Sequence, residues 1–448
     1  MDQDGGTQTP LMDSNRTVLA GCQRASAWLS GAYMRLPWVV RHGLVVAVAF
    51  LLLVRRRPEM LTRAEFFNED GQVFYLGAYF GSPVDSIVRS YQGYLHVLAR
   101  LLALVERTVP IAYAPFVGNA ASLLLVAAVA GYLASGRMAD LIPSQLGRWL
   151  VALLVIVVPG SFESLGSVTY VQWYLAVYLI VASMARLPAS RLEGAGDVAT
   201  LTIASLTGPF GILAAPLYVI RLALERSHAA AWRCLAVVIP ALVQGTVLVT
   251  SPRAAAVSWS NLTDVVSVFG LRGVIVPLLG SQQVSSLTSN GVAPTIAVAG
   301  AFAAVAALVV LACGLPNRRL TLVIGYGYVV MLAAGLKGST DAVESFYSVW
   351  SAQRYFLIPG IMIAVLIGSA LASLGSWRRL LAAALMLVLG IGIVNDYLLP
   401  PRPYLDWSVT SSCIGGPAPC VVPVMPPAVW SIRWPGLGGD YEQTHLPP

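Results

Sequence analysis

The sequence predicts an all-α protein: a polytopic bundle of about ten or eleven transmembrane helices, with an interfacial amphipathic helix in the first outer loop. Of its 448 residues, 57% are hydrophobic and only 11% are charged. Soluble domains carry about a quarter charged residues. A deficit this large indicates that lipid, rather than water, surrounds most of the chain, which has the length of one polytopic domain.

Apolar runs of about 17–25 residues mark transmembrane helices. These runs lie at residues 37–54, 113–134, 149–158, 168–185, 234–250, 293–313, 320–336, 355–374 and 380–398. Residues 197–220 are also apolar, but Gly208 and Pro209 interrupt them. This interruption predicts two half-spans or a re-entrant pair, whose irregular backbone must line a cavity or pack against protein.

Basic residues in alternate short loops predict the orientation in a plasma membrane. Residues 1–36 are then a cytoplasmic tail with no cleaved signal peptide, residues 37–398 the transmembrane domain, and residues 399–448 an extracytoplasmic tail. The first outer loop covers residues 55–112. The net charge of +7 is spread over many loops. We therefore expect these basic residues to set the orientation of the protein and to contact lipid headgroups, and not to bind nucleic acid.

The first outer loop contains a pattern that is typical of an amphipathic helix. Its polar positions recur at steps of three, four or seven residues, namely Asp85, Arg89, Gln92, His96, Arg100 and Arg107. Three arginines on one face would each cost about 2.5–3.5 kcal/mol inside the bilayer. We therefore expect a helix of about 25 residues that lies in the membrane interface.

Two adjacent acids, Glu69 and Asp70, begin this loop in the segment FFNEDGQVF. Adjacent carboxylates compete for one proton, so one of them can be poised as a general base. They can also bind a divalent cation through oxygen. The alternative is a solvated turn, for which Asn-Glu-Asp-Gly is ordinary composition.

The second outer loop, at about residues 160–167, contains a single acid, Glu163. Gln172 and Trp173 follow it at the head of the next span. Glu163 is a candidate site residue or a solvated loop acid. The amide and the indole suit the wall of a sugar-binding site, and they equally suit the aromatic belt of a membrane protein.

A candidate phosphate site lies where Arg354 and Tyr355 open a late span. An arginine can bind a phosphate through two parallel hydrogen bonds. His96 and Arg100 on the predicted interfacial helix are candidates for the same site. Alternatively, Arg354 extends to the membrane interface without binding a ligand, and His96 is an ordinary surface histidine.

Two cysteines of the tail, Cys413 and Cys420, flank a Gly-Gly-Pro segment. They can close a small loop disulfide, which requires an oxidising compartment, or remain two free thiols. Nucleotide-binding loops, Cys/His metal motifs and Gly-x-Ser-x-Gly are not found in the sequence. Ionisable residues are scarce in the predicted spans, which argues against an ion-coupled transporter.

This layout resembles the GT-C superfamily of membrane glycosyltransferases. The resemblance rests on the segment FFNEDGQVFYLGAYFGSPVDSIVRSYQGYLHVLARL, the acidic second loop and the Arg-Tyr pair that enters a late span. It implies an inverting enzyme that takes a sugar from a polyprenyl-phosphate carrier. The acceptor would be a cell-envelope glycan, a glycolipid or a secreted molecule on the outer face of the membrane.

The resemblance also implies roles for individual residues. Asp70, with Glu69 beside it, would deprotonate the acceptor, Glu163 would orient the acceptor or a metal, and Arg354 would bind the lipid phosphate. This chain has Glu-Asp rather than Asp-Glu in the first loop and one acid in the second. Mg²⁺ or Mn²⁺ is therefore a candidate cofactor whose ligands stay unassigned. The alternative is a flippase or transporter for a lipid-linked glycan, which predicts pseudo-symmetric halves.

Overall fold

A computed structural model of the protein describes residues 37–251, 262–289, 294–338 and 346–436. The predicted cytoplasmic tail, residues 1–36, lies outside these ranges. The longer helices are α1 (Trp38–Arg56), α2 (Val97–Glu106), α3 (Ile111–Ala134), α4 (Gln145–Val157), α5 (Val171–Met184), α6 (Arg191–Ser205), α7 (Phe210–Glu225), α8 (His228–Thr250), α9 (Leu262–Leu279), α10 (Pro294–Gly314), α11 (Arg318–Gly338), α12 (Arg354–Ser373) and α13 (Ser376–Tyr397).

Shorter helices lie at Glu59–Thr62, Asp70–Tyr75, Leu76–Phe80, Pro83–Val88, Gly136–Met138, Ser281–Ser289, Trp407–Thr410 and Ser411–Cys413. The described part of the chain contains six helices that are long and apolar enough to cross a membrane, namely α3, α8, α9, α11, α12 and α13. Shorter apolar helices are α4, α5 and residues Ala299–Gly314 of α10. The helical class is thus confirmed, and the six apolar helices support a membrane-embedded protein. In the described residues, the number of full-length candidate spans is smaller than the ten or eleven predicted for the chain.

The helix α9 lies in residues 251–292, between the predicted spans 234–250 and 293–313, where we expected an outer loop and no further span. It carries Arg272, which is completely buried and donates hydrogen bonds to the carbonyl oxygens of Ser351 (2.7 Å) and Phe346 (3.3 Å). An arginine interrupts the apolar pattern on which the prediction depended. Its hydrogen bonds to main-chain oxygens make its burial tolerable.

The predicted 25-residue amphipathic helix is two shorter helices, Pro83–Val88 and α2. Between them, Gln92 and Gly93 have φ angles of 53° and 82°, and the main chains of Tyr91 and Tyr94 bond to each other. A left-handed pair of residues cannot continue a right-handed helix. The chain therefore turns inward at this point and brings Gln92 and His96 toward the interior.

The break predicted at Gly208 and Pro209 is present between α6 and α7. Gly208 has a φ of 81°, and a side chain there would lie about 2.1 Å from Oε1 of Gln172. Glycine is required at this position for both reasons. A neighbouring helix stabilises the break, because the side-chain amide of Gln244 in α8 donates a hydrogen bond to the carbonyl oxygen of Gly208 at 3.0 Å.

The centre of the bundle is α12, in which the side chains from Phe356 to Ala370 are all buried. It packs against α4, α5, α11 and α13. A helix that is apolar all round must be surrounded by protein or lipid. Because α12 is covered by other helices, its first residue, Arg354, has a fixed position at one end of the bundle.

The C-terminal segment folds onto the first outer loop. It forms an antiparallel hairpin of β1 (Cys420–Val424) and β2 (Trp430–Trp434), so the protein is not purely α-helical. Cys413 and Cys420 form a disulfide with an S–S distance of 2.09 Å. The main-chain N–H of Asn68 donates to the carbonyl oxygen of Met425 at 2.7 Å, which joins the turn of the hairpin to the segment that carries Glu69.

Candidate functional site

A cavity of about 370 Å³ lies at the end of the bundle where α12 begins. Its walls come from the first outer loop, from α5, α7, α11 and α12, and from the turn of the hairpin. Six of the predicted site residues line it: Glu69, His96, Gln172, Trp173, Arg354 and Tyr355. These residues are up to 286 positions apart in the chain (355 − 69), and the fold brings them together in one cavity.

Glu69 points a buried carboxylate into this cavity. Asn68, directly before it, has a φ of 50°, a conformation that asparagine tolerates, and donates a hydrogen bond to the hydroxyl of Tyr170. The Oε2 atom of Glu69 is buried and has no hydrogen-bond partner among the described residues. Burial raises the pKa of Glu69 to about 7, and the positive charge of Arg354 opposes this shift.

Asp70 does not line the cavity, although it is adjacent to Glu69 in sequence. It is 2% exposed and accepts hydrogen bonds from the amides of Val168 (3.1 Å) and Thr169 (2.8 Å) and from the hydroxyls of Ser167 and Thr169. Burial raises the pKa of Asp70 to about 6, while the hydrogen bonds from Thr169 hold it lower than burial alone would. Its carboxylate therefore fixes the second outer loop.

Glu163 and Arg354 form an ion pair at the edge of the cavity. The main-chain N–H of Arg354 also donates to Oε2 of Glu163 at 3.1 Å. The guanidinium of Arg354 lies over the rings of Tyr355 (4.7 Å to the centroid) and Tyr170 (5.4 Å). Charge pairing and two aromatic faces leave this arginine little freedom, so it is preorganised to meet an anion.

Arg402, from the segment after α13, holds the loop that carries Glu163. Its guanidinium donates to the carbonyl oxygens of Phe162 (3.1 Å), Glu163 (3.3 Å) and Leu165 (3.1 Å) and lies 3.7 Å from the centroid of the Phe67 ring. Burial lowers the pKa of Arg402 to about 9, so it is still a cation at neutral pH. Sequence reasoning missed this residue because no motif surrounds it.

Gln172 and Trp173 present polar atoms to the cavity from the first turn of α5. Oε1 of Gln172 and Nε1 of Trp173 are buried without hydrogen-bond partners in the described structure. An unsatisfied buried polar group costs about 1–3 kcal/mol. Trp173 also packs edge-on against Phe210 and Tyr355, with centroids 4.8 and 5.4 Å away. An acceptor and a donor on an aromatic wall are suited to a hydroxyl-rich ligand.

The two other residues that we predicted to bind phosphate have different positions. His96 lines the cavity, but burial and the nearby charge of Arg100 lower its pKa to about 3, so its imidazole is neutral at pH 7. Arg100 does not line the cavity. It is completely buried, donates to the carbonyl oxygen of Val73 at 3.0 Å and lies over the ring of Phe74.

The turn of the hairpin supplies a wall that sequence reasoning missed, through Pro426, Val429 and Trp430. The sequence contains a signal for it, since hydrophobic residues alternate in Trp430–Trp434 after a pair of cysteines. Within residues 37–251, 262–289, 294–338 and 346–436, no group of three or more His, Cys, Asp or Glu side chains could hold a metal ion. Glu69, which lines the cavity, and Glu163, which pairs with Arg354, remain the candidates for contact with a cation.

The chain matches no known family model, and no curated protein is significantly similar to it in sequence. The geometry of the cavity is therefore the basis on which a function can be inferred.

Proposed function

We propose that the protein is a membrane glycosyltransferase that moves a sugar from a polyprenyl-phosphate carrier to an acceptor hydroxyl, with inversion at the anomeric carbon. The observation that carries this proposal is the shared cavity of Glu69 and Arg354. Glu69, whose Oε2 has no hydrogen-bond partner in the described structure, and the preorganised Arg354 line the same cavity at one end of an apolar bundle. This combination suits a reaction that needs a base and a site for a leaving phosphate.

Glu69 is the proposed general base. Because burial raises the pKa of Glu69 to about 7, its carboxyl group can both accept and release a proton near neutral pH. The acceptor hydroxyl gives its proton to Glu69 as its oxygen bonds to the anomeric carbon. The bond from that carbon to the phosphate oxygen breaks, and its electron pair leaves with the lipid phosphate.

Arg354 is the proposed partner of the leaving phosphate. Its charge stabilises the negative charge that develops on the phosphate as the glycosidic bond breaks. Glu163 has a positioning role, because it holds both the guanidinium and the main-chain N–H of Arg354. Asp70, which the family resemblance favours as the base, takes a positioning role in this scheme because its oxygens are occupied by the second loop.

The remaining walls support a sugar and an isoprenoid chain as ligands. Gln172 and Trp173 offer one acceptor and one donor to sugar hydroxyls, and Tyr355 offers an aromatic face. Phe210, Leu213 and Met331 continue the cavity wall along α7 and α11 with apolar side chains. An isoprenoid tail requires such a surface, since apolar burial yields roughly 25 cal/mol per Å².

We place the cavity on the outer face of the plasma membrane. The disulfide between Cys413 and Cys420 supports this orientation, because its hairpin forms part of the cavity and disulfides persist in oxidising compartments.

The decisive experiment is transfer from a panel of radiolabelled polyprenyl-phosphate sugars in membranes that contain the protein. At least one donor should lose its label to an acceptor in wild-type membranes and keep it in membranes that contain Glu69→Gln. Transport of a lipid-linked glycan across the membrane without formation of a new glycosidic bond would instead support the flippase alternative. Full transfer by Glu69→Gln would refute the proposed site.

A further inference from the structure

A second cavity, of about 630 Å³, lies at the opposite end of the bundle. The helix α12 begins at the first cavity with Arg354 and ends at the second with Ser373. Its 20 residues separate the two cavities by about 30 Å, the thickness of the hydrocarbon core of a bilayer. The helix α11 makes the same connection in reverse, from Arg318 at the second cavity to Gly335 at the first. We call the second cavity the distal cavity.

The distal cavity has a basic rim. Arg318 and Arg319 line it and are exposed, and Arg318 has no ion pair among the described residues. Arg319 is 3.4 Å from Glu225. A third arginine adjoins the rim, since a side chain added at Gly314 would lie 2.9 Å from Cδ of Arg378. The one acid in the lining, Asp140, is paired with Arg186 at 2.6 Å. The rim is therefore positively charged.

The interior of the distal cavity is mostly apolar. Leu141, Ile142, Leu315 and Ala372 contribute apolar walls. The side chain of Ser369 lines the same cavity, the residue is 2% exposed, and its Oγ has no hydrogen-bond partner within the described chain. A buried hydroxyl without a partner is costly, so this Oγ is available as a donor to a ligand.

We propose that the distal cavity binds an anionic phospholipid. The phosphate of the lipid lies between Arg318 and Arg319 at the rim, an ester carbonyl accepts a hydrogen bond from Ser369, and the acyl chains follow the apolar walls. Basic residues at a membrane boundary also set orientation. That role accounts for the charge of the rim, but it does not account for a cavity with a buried, unpartnered hydroxyl.

The expected size of the effect follows from membrane electrostatics. Each arginine near the surface contributes about 1 kcal/mol to the binding of an anionic lipid, which is about a fivefold change in affinity. Loss of both arginines should therefore weaken binding about 25-fold. Filling the cavity at Ala372 should weaken binding without any change in charge.

The test is native mass spectrometry of the full-length protein, purified in detergent and titrated with phosphatidylglycerol. The variants are Arg318→Gln with Arg319→Gln, Ala372→Phe, and the control Arg226→Gln, which removes an exposed arginine next to the end of α7 and outside the cavity lining. The thermal unfolding of each lipid-free variant is measured as well, so that a folding defect is not mistaken for a loss of binding.

The proposal requires weaker phosphatidylglycerol binding in the double variant and in Ala372→Phe, and unchanged binding in the control. Phosphatidylcholine with the same acyl chains should bind more weakly to the wild type and respond little to the arginine changes. If Ala372→Phe is unstable, the single variant Arg318→Gln, at an exposed position, provides the test. Equal binding by all variants, or equal loss in the control, would overturn the proposal, whether or not the protein transfers sugars.

Discussion

The main-chain amide of Thr169 donates a hydrogen bond of 2.8 Å to Oδ1 of Asp70, and thereby joins the second outer loop to the first. The neighbouring acid, Glu69, faces the cavity and has an Oε2 without a hydrogen-bond partner in the described structure. Two adjacent carboxylates therefore differ in what they contact. One has its hydrogen-bonding capacity occupied by the protein, while the other is available to a ligand.

Substitution of these two acids should have different consequences. Glu69→Gln should reduce sugar transfer by about 10²–10⁴-fold, the range of a lost general base, with little change in stability because no protein hydrogen bond to Oε2 is lost. Asp70→Asn should lower stability, because hydrogen bonds to a charged group contribute about 1.5–3 kcal/mol each. Transfer rates and thermal unfolding of both variants provide the measurement. A stable, inactive Asp70→Asn together with an active Glu69→Gln would reverse the two roles.

The transfer rate should depend on pH through Glu69. Its pKa is raised to about 7 by burial, and only the ionised form accepts a proton, so kcat/KM should rise with pH and level off above pH 7. Removing the charge of Arg354 takes away an interaction that lowers this pKa. Arg354→Gln should therefore shift the midpoint of the profile to higher pH, in addition to weakening the binding of the donor.

Arg354→Lys is the matched control for the pH measurement, because it keeps the positive charge but loses the planar guanidinium. Its midpoint should stay near that of the wild type even though its rate is lower. A midpoint that is the same in the wild type and in Arg354→Gln would contradict the electrostatic link between Arg354 and Glu69.

Arg402→Gln should destabilise the second outer loop. The change leaves the carbonyl oxygens of Phe162, Glu163 and Leu165 without their shared donor, and each unsatisfied buried group costs about 1–3 kcal/mol. We expect a lower unfolding temperature and a reduced transfer rate, because Glu163 no longer holds Arg354. The control is Arg63→Gln, an exposed arginine of the first loop, for which both quantities should be unchanged.

The disulfide should be necessary for a complete cavity. A cross-link that closes a loop of about eight residues contributes about 2–3 kcal/mol in the chain-entropy account. Cys413→Ser with Cys420→Ser should therefore loosen the hairpin, increase its proteolysis and raise the KM for the sugar donor. Cys313→Ser, at an exposed free cysteine, is the control. Wild-type KM and protease resistance in the double variant would show that the hairpin folds without the bond.

Much of the bundle could be predicted because its signals are local. A run of apolar residues predicts a span wherever it occurs, and α3, α8, α11, α12 and α13 lie where such runs do. The same reasoning missed α9, since Arg272 is compensated by carbonyl oxygens more than seventy residues away. A compensation of that kind is a property of the folded chain and leaves no mark in the local pattern.

The candidate site shows the same limit. Glu69, Gln172, Trp173 and Arg354 are recognisable by residue type and by position at the ends of spans, and the fold brings them together. Spacing alone could not separate Glu69 from Asp70, because adjacent residues differ here only in the direction of their side chains. A helical period likewise placed Arg100 on the polar face of an interfacial helix, whereas in the structure the turn at Gln92 and Gly93 precedes it and Arg100 is completely buried.

The hairpin of residues 420–434 has a consequence for the biosynthesis of the protein. Its turn closes a cavity whose other walls are made of segments that leave the ribosome much earlier. Until β1 and β2 have been synthesised and have docked on the first loop, the groups around Glu69 face an open cleft. The protein therefore completes the wall of this cavity only after the helices that form its other walls have been made.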